Sequence, residues 1–235
     1  SDAVKIGKTF MDYLKKTKDP RIHVYCSLKD GNTEFDKQFG LPNGYDSHTI
    51  ADAPSGSFVG LENTSNFNIN TILRLDAPTI FLMPSETKLL LAEAVLRNWT
   101  NGNAEVLYKE AITSSMKEQE IAYGTQGKIT DEEIETYLAQ NLFSTANNTE
   151  KLQIIGEQYW VATFINGYES YANWRRTGYP KLIPTNYSGS MSPGVIPTRL
   201  PYPTDEYSIN RANVDTANQQ QGADKVTTHI WWDID

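Results

Sequence analysis

The side chains that most often carry catalysis are sparse and scattered in this sequence. The three histidines, His23, His48 and His229, lie far apart, and the sequence contains neither an HExxH motif nor a pair of cysteines. The single cysteine, Cys26, has no flanking catalytic signature, and no GxSxG motif or glycine-rich phosphate loop occurs. We therefore expect no metal site, no covalent nucleophile and no cofactor.

Acidic side chains offer another chemistry, because two carboxylates that face one cleft can hydrolyse glycosidic bonds. The chain holds 29 acidic residues, so many chance pairs are expected, and separation along the sequence does not fix distance in space. Glu157 and Glu169 are better interpreted as helix-surface charges or as partners of Arg175 and Arg176. The sequence therefore does not favour a hydrolase, and we expect no enzymatic activity. The acidic residues considered are Asp215, Asp224, Asp233, Asp235, Glu157 and Glu169.

Aromatic rings among small polar residues indicate binding instead. A flat ring can cover the apolar C–H face of a sugar while neighbouring amides and carboxylates reach its hydroxyls. The stretch that holds Tyr25, Phe35, Phe39, Tyr45 and Phe58 is rich in Asn, Asp, Gly and Ser. For any single ring, anchoring of a long loop is the simpler interpretation. The predicted ligand-binding set is Tyr25, Phe35, Phe39, Asn43, Tyr45 and Asp46.

The elements around this loop are predicted from periodicity and stop signals. Val4, Phe10, Met11 and Leu14 predict a first amphipathic helix, which ends before Pro20. Residues 21–82 read as mostly irregular, with short strands expected near 22–26 and 71–75. A loop of this length is rare in a compact domain unless it is functional or anchored on other elements.

Three helices are predicted in the middle of the chain before residue 147. Pro84 suits the first turn of a helix that we expect to run to a stop at residues 101–102, and Asn103 can cap the next helix. This hairpin resembles a tetratricopeptide unit, although its turn is shorter than that consensus allows. Thr130 and Glu133 form a capping box that predicts a third helix.

A single long aromatic helix is predicted to be the central element of the fold. Asn147 caps it, and Gly178 with the following Pro180 provides the stop. Because its apolar band is wide, we expect Trp160, Phe164 and Tyr168 to be largely buried between the hairpin and the tail. Beyond this helix the chain is mostly coil, with a short polar helix within 208–221. Tyr202, Trp231 and Trp232 are expected to pin the tail.

Composition bounds the class of protein. The 21 basic and 29 acidic residues give a net charge of −8, which argues against a nucleic-acid partner. No stretch has the roughly 18 apolar residues of a membrane span, and the N-terminus carries no secretory signal. The chain opens directly in helical periodicity, so we expect its natural start to lie upstream. We divide it into residues 1–82, a helical core at 83–180 and an extended tail at 181–235.

Several segments together resemble the SusD/RagB-type outer-membrane nutrient-binding lipoproteins of Bacteroidetes. EQYWVATFINGYESYANWRRTGYPKLIP and GVIPTRLPYPTDEYSINRANVDTANQQQGADKVTTHIWWD resemble the C-terminal signature of that family. Residues 77–116 resemble the part before the signature, and FMDYLKKTKDPRIHVYCS resembles the family's "DPR" segment. The segments occur in family order and cover most of the chain, which we interpret as the C-terminal portion of such a protein.

The resemblance implies a mainly α fold of tetratricopeptide-like helical hairpins with long ordered loops. It implies an outward-facing protein of the cell outer membrane, lipid-anchored through an N-terminal cysteine that this chain lacks, since Cys26 is internal. It also implies oligosaccharide binding and delivery to a SusC-like TonB-dependent transporter. A branch of the family takes peptides instead, and a helical-repeat interaction adaptor is a third alternative. The matched motifs are structural, so the resemblance assigns no ligand residues.

Overall fold

In the computed structural model, which describes residues 4–45, 48–54, 56–185 and 190–233, the chain is mainly α-helical, as predicted. Two short antiparallel strands, β1 (Cys26–Ser27) and β2 (Asn66–Phe67), pair with each other. The helices are α1 (Lys8–Thr17), α2 (Ile22–Tyr25), α3 (Pro84–Leu96), α4 (Ala104–Tyr123), α5 (Asp131–Gln140), α6 (Asn148–Ala162), α7 (Gly167–Thr177), α8 (Thr204–Ile209) and α9 (Arg211–Gln221).

Side-chain caps begin three helices where the sequence predicts them. Asn103, Thr130 and Asn147 each accept a hydrogen bond from a backbone N–H of the first turn, at 3.2, 3.2 and 3.0 Å. In α5 and α6 a glutamate carboxylate accepts the N–H of the capping residue in return. These bonds satisfy N–H groups that have no partner within the helix, which is why local sequence places the starts of α4, α5 and α6 well.

The first helix of the hairpin starts at Pro84 as predicted but ends earlier than residues 101–102. Helix α3 ends at Leu96, and Asn98 adopts a left-handed φ of 59°. The N–H of Trp99 then donates to the carbonyl of Ala94 at 2.9 Å. Asparagine tolerates this conformation better than most residues, so it closes the helix before the glycine is reached. Helix α3 packs against both α4 and α6, which joins the two parts of the helical region.

The predicted long helix is in fact two helices, α6 and α7. Asn166 has a non-helical φ of −107°, and its side chain accepts the N–H of Glu169 at 3.3 Å, which caps a new helix at Gly167. Before it, the Thr163 hydroxyl hydrogen-bonds the Tyr159 carbonyl and the Ser170 hydroxyl. The connection therefore has its own polar partners, and the expectation of one continuous helix is wrong.

The break changes where the aromatic side chains of this segment lie. Trp160 and Phe164 are half-buried and pack against the core. The Phe164 ring stacks on Phe10 and Tyr25 at centroid distances of 4.3 and 4.9 Å. Tyr168 lies in the first turn of α7 and is 93% exposed, so the prediction that it is buried is wrong. Continuous helical periodicity placed it on the apolar face, and the break rotates it away.

The strands expected near residues 22–26 and 71–75 also differ in the structure. Residues 22–25 form helix α2, and only Cys26–Ser27 is extended. Residues 71–75 lie in turns rather than in a strand, with the Thr71 hydroxyl donating to the Val24 carbonyl. Asp19 explains why residues 22–25 are helical rather than extended. Its carboxylate accepts a hydrogen bond from the N–H of Arg21 at 3.0 Å and so starts the helical turn.

Asp19 and Arg21 also form a buried polar junction between four helices. Both side chains are fully buried and form an ion pair. The guanidinium donates to the hydroxyl of Ser115 on α4 at 2.9 Å and to the side-chain oxygen of Gln158 on α6 at 2.7 Å. Gln158 in turn donates to the hydroxyl of Tyr137 on α5 at 2.7 Å. Every partner is another buried polar group, which is the condition for tolerating a buried charge.

The tail is ordered by polar contacts as much as by apolar ones. The Arg175 guanidinium lies between the rings of Tyr171 and Trp232, at 4.5 and 4.8 Å from their centroids, and donates to the Thr198 carbonyl at 3.1 Å. Trp231 is 82% exposed, so the expectation that it pins the tail is wrong. The polar helix predicted within 208–221 is α9, and Asn210, with a non-helical φ of −137°, separates it from the preceding α8.

Candidate functional site

Tyr25 is the predicted ligand-binding residue that the structure places in the core. Its side chain is only 3% exposed, and its hydroxyl donates to the carbonyl of Val161 at 3.3 Å. Burial raises the pKa of this hydroxyl well above its ordinary value. Its ring faces Phe10 and Phe164, so the ring is packed inside the protein rather than projecting from a loop. Its place at the end of α2 explains why its surroundings differ from those that the sequence predicts.

Phe35 and Phe39 lie on the same loop but in different surroundings. Phe35 is half-buried against the core at the start of a short 3-10 turn, Phe35–Lys37. Phe39 is 39% exposed, and the ammonium of Lys15 lies 4.2 Å from its ring centroid. That cation covers part of the ring, so a sugar stacking on Phe39 must use the remaining surface or displace the lysine.

Asn43 reaches a cavity because the loop crosses the start of α1. The N–H of Lys8 donates to the carbonyl of Leu41 at 2.7 Å. A Cβ at Gly40 would lie 2.4 Å from the Lys8 Cα, so this close crossing requires glycine. The crossing brings the Asn43 amide within 3.1 Å of the Thr9 hydroxyl, to which it donates. Tyr45 lies two residues further along and is half-buried, and Asp46 lies outside the described residues.

The cavity at Asn43, which we call the neutral hollow, lies between α1, α6 and the tail. Its volume is about 450 Å³, within the range of roughly 300–1,000 Å³ that small-ligand sites occupy. None of the described residues that line it carries a charge. They are Gly7, Thr9, Phe10, Asn43, Trp160, Leu182, Ile183, Pro184, Thr185, Ser190, Ser192, Val195, Ile196 and Pro197.

The neutral hollow combines one indole ring with neutral hydrogen-bonding groups. Trp160 is held edge-on by Phe10, with centroids 5.0 Å apart and planes at 84°. An indole beside an amide and several hydroxyls suits the mixed apolar and hydroxyl surface of a sugar. Sequence reasoning assigned Trp160 wholly to the core and gave no role to Thr9 or Ser192. Isolated hydroxyl side chains carry no spacing signal, so only the folded chain reveals this lining.

A second depression, which we call the acidic groove, lies on the side of the loop where Phe35 sits. Its volume is about 560 Å³, and it is bordered by the C-terminal end of α1 and by α5. Three of its lining residues are acidic and one is basic. The lining residues are Lys18, Pro20, Phe35, Asp36, Glu132, Glu133, Thr136, Tyr137 and Gln140. Of the predicted ligand residues, Asn43 thus lines the neutral hollow, Phe35 lines the acidic groove and Tyr25 lies in the core. Phe39 and Tyr45 line neither depression.

Each carboxylate considered for hydrolysis that the structure describes lies beside a partner of its own. Asp224 accepts bonds from Arg199, the N–H of Tyr202 and the hydroxyl of Tyr207 at 2.8, 3.0 and 2.6 Å. Glu169 accepts the Tyr159 hydroxyl at 2.6 Å. Asp215 pairs with Arg211, Glu157 accepts a bond from Gln153, Asp233 lies 3.3 Å from His229, and Asp235 is outside the described residues.

The described residues contain neither a group of metal-binding side chains nor a helix suited to cross a membrane. Among them, no three His, Cys, Asp or Glu side chains are grouped so as to hold a metal ion. His23 lies beside the carbonyl of Lys128, whereas His229 lies beside Asp233 in the tail. No helix in the described part of the chain has the length and apolar content that a membrane span requires.

Comparison with protein families identifies a SusD-like family. A SusD-like family model, described as starch-binding and associating with the outer membrane, matches residues 1–203. A comparison with functionally curated proteins gives no significant match.

Solved structures similar to this chain share its fold over nearly its full length. A chitin-binding protein is 30% identical, with a TM-score of 0.79, over 97% of this chain and 50% of its own. A SusD homologue from Bacteroides fragilis is 26% identical, with a TM-score of 0.78, over 98% and 52% of the two chains. A chitin-binding SusD homologue from Flavobacterium johnsoniae is 26% identical, with a TM-score of 0.74, over 98% and 50%. The chain thus spans about half the length of these relatives.

Proposed function

This chain belongs to the SusD-like family, and from that membership we propose that it contributes to carbohydrate binding in nutrient uptake at the bacterial cell surface. The family match over residues 1–203 is the observation that carries the proposal. Two similar structures are of proteins named as chitin-binding, which supports a glycan rather than another nutrient. The proposed function is binding without chemistry, which the description of the family as starch-binding supports.

We place the glycan site at the neutral hollow and the adjoining loop. Trp160 provides an indole at the hollow, and Asn43 and Thr9 provide an amide and a hydroxyl that already lie 3.1 Å apart. Phe39 and Tyr45 flank Asn43 in sequence and extend the site along the loop. An uncharged lining suits a neutral sugar, since no buried charge has to be desolvated when it binds.

The affinity of such a site is expected to be modest. Sugar hydroxyls exchange hydrogen bonds with water for hydrogen bonds with protein, at little net gain. An open depression also leaves part of the ligand solvated. Dissociation constants between about 1 mM and 1 μM, or roughly −4 to −8 kcal/mol, fit this picture.

The cellular setting follows from the family and not from the geometry. We propose that the protein faces outward from the outer membrane and is anchored by lipid on an N-terminal cysteine outside this chain. We also propose that it passes its ligand to a SusC-like TonB-dependent transporter. The family description, which names association with the outer membrane, supports this setting. Co-purification of the full-length protein with such a transporter is the direct test.

Calorimetric titration with starch and chitin oligosaccharides tests the glycan site. We expect Ile183→Asp to weaken binding at least about fivefold, because it places a charge at a lining position that is 88% exposed and so leaves the core intact. Phe39→Ala and Tyr45→Ala should each weaken binding by about two- to tenfold if the loop rings contact the sugar.

Met191→Asp is the matched control for the hollow. Met191 is 79% exposed on the same tail segment but does not line the hollow, so this variant should bind as the wild type does. If Ile183→Asp also binds normally and the bound sugar maps to α3 and α4, the site assignment is wrong. If no oligosaccharide binds the wild-type chain, the proposed function itself fails for this chain.

A further inference from the structure

The acidic groove has no role in the proposed glycan site, although it is the larger of the two depressions at about 560 Å³. Its floor is apolar and ordered. Phe35 and Pro20 contribute half-buried side chains, and the Tyr137 side chain is buried with its hydroxyl bonded to Gln158 at 2.7 Å. Because the Tyr137 hydroxyl is bonded to Gln158 of the buried polar junction, this part of the groove is already fixed before a ligand binds. A ligand would therefore not lose binding free energy in ordering it.

The sides of the groove carry an excess of negative charge. Asp36 comes from the loop, and Glu132 and Glu133 come from the first turn of α5, whereas Lys18 is the one cation among the described lining residues. Lys15 does approach Asp36, with its ammonium 3.3 Å from the Asp36 carbonyl. That ammonium also lies over the Phe39 ring, and Lys15 does not line the groove.

Glu133 is exposed at the groove, and its carboxyl stays ionised. Burial alone would raise the pKa of its carboxyl, but hydrogen bonds from the N–H and hydroxyl of Thr130 outweigh burial and hold the pKa below its ordinary value. Its charge is therefore present at neutral pH, beside that of the exposed Glu132. Neutral hydrogen-bonding groups, the Thr136 hydroxyl and the Gln140 amide, complete the lining.

We propose that the acidic groove binds glycans that carry free amino groups, with a sugar ring against Phe35 and its ammonium beside Glu132 and Asp36. This inference rests on the proposed carbohydrate function and extends it to a second class of ligand. Charge complementarity selects the ligand: the carboxylates favour a cation, and an aromatic floor with hydroxyl and amide neighbours favours a sugar. A neutral glycan cannot form the ion pairs with the carboxylates. A basic peptide makes little use of the aromatic ring and of the hydroxyl and amide groups.

Titration of the 235-residue chain with a glucosamine tetramer and with its N-acetylated counterpart tests this groove. The two probes differ in charge and share the sugar ring. We expect the glucosamine tetramer to bind more tightly at low salt and to lose affinity as ionic strength rises, because exposed charges are screened. Glu132→Gln should weaken its binding about two- to fivefold, and Asp36→Asn with Glu132→Gln together about three- to tenfold, as exposed ion pairs permit.

Glu135→Gln is the matched control, since Glu135 is exposed on α5 but lies outside the groove lining. It removes the same charge from the same helix and should leave the affinity within twofold of wild type. Equal weakening by Glu132→Gln and Glu135→Gln would show a nonspecific charge effect and overturn the proposal. Equal or tighter binding of a trilysine peptide would overturn the assignment to a sugar.

A second pair of titrations separates this inference from the proposed function. Ile183→Asp should leave glucosamine binding unchanged while it weakens binding of neutral oligosaccharides. If neutral oligosaccharides bind and the glucosamine tetramer does not, the groove inference fails and the proposed function stands. If the glucosamine tetramer binds and its affinity depends on Glu132 while neutral oligosaccharides fail to bind, the groove inference stands without the neutral site.

Discussion

At the scale of single residues, buried charges mark the places where helices meet. Asp19 and Arg21 join the end of α1 to α4 and α6 inside the protein. Glu93 on α3 plays a similar part nearer the surface. Its carboxylate accepts two bonds from Arg176 on α7, at 2.8 and 2.6 Å, and one from Arg97 at 2.7 Å. The arginines of the WRRTGYP motif thus hold structure, since Arg175 and Arg176 contact the tail and α3.

Glu93 makes stability depend on pH in a defined direction. Burial alone would raise the pKa of its carboxyl, but Arg176 and Arg97 outweigh burial and hold the pKa below its ordinary value of 4.5. A carboxyl with a depressed pKa in the folded state contributes stability above its unfolded pKa and loses it as pH falls through the folded pKa. We expect Glu93→Gln to cost about 1–2 kcal/mol at pH 7, less than a fully buried pair because both arginines are partly exposed.

Urea unfolding of wild type and Glu93→Gln at pH 7 and pH 3 measures this effect. The difference in the free energy of unfolding should be smaller at pH 3 than at pH 7, because the wild-type carboxyl loses this contribution as pH falls toward its lowered folded-state pKa. Glu110→Gln, at an exposed position of α4, is the control and should change stability by less than about 0.5 kcal/mol at either pH. A difference between wild type and Glu93→Gln that is the same at both pH values would contradict the ion-pair explanation.

At the scale of secondary-structure elements, the connection between α6 and α7 organises the centre of the protein. It brings Phe164 into an aromatic cluster with Phe10, Tyr25 and Phe67, at centroid distances of 4.3, 4.9 and 5.2 Å. Those rings belong to α1, α2 and β2, so the cluster connects the helical region to the long N-terminal loop. The loop is ordered because it is anchored on this cluster and on α1, and not because it has regular structure of its own.

Phe164→Ala should therefore lower the free energy of unfolding substantially, whereas Tyr168→Ala should not. Removal of the Phe164 ring leaves a cavity beneath three aromatic neighbours, for which we expect a loss of about 2–4 kcal/mol in denaturant unfolding. Tyr168 lies four residues later and is 93% exposed, so its loss should change stability by less than about 0.5 kcal/mol. Similar losses for the two variants would show that α6 and α7 are one continuous helix in solution.

At the scale of the whole molecule, the long N-terminal loop contributes to two depressions, one with an uncharged lining and one with an acidic lining. The neutral hollow suits an uncharged sugar, and the acidic groove suits a cationic one. The proposed role of the protein is to hold a glycan for transfer, which requires reversible binding and no bond cleavage.

Incubation of the chain with starch, chitin and their oligosaccharides should therefore release no products. The carboxylates on α6 and α7 that come closest to a catalytic role are engaged by Gln153 and Tyr159. Chromatography of the products after extended incubation is a sufficient readout. Turnover that disappeared with Glu157→Gln or Glu169→Gln would refute the assignment as a binding protein.

The sequence alone determined the starts of α4, α5 and α6 and the family. The caps at Asn103, Thr130 and Asn147 each bond to the N–H three residues later, so the local sequence is enough to predict where these helices start. The family motifs are also local, and the family match confirms the interpretation drawn from them. The break between α6 and α7 at residues 163–167 was not predicted, although the cap at Asn166 that starts α7 is also local. Apolar residues continue at helical spacing across the break, so the pattern predicts one continuous helix.

Only the tertiary structure decided which aromatic rings face solvent, core or cavity. Tyr25 and Phe39 belong to the same predicted ligand-binding set, yet one is buried and the other exposed, because burial depends on what packs from distant parts of the chain. The neutral hollow likewise joins residue 9, residue 43, residue 160 and the tail at 182–197. Such a site forms from contacts between segments that are far apart in sequence, and no local spacing encodes it.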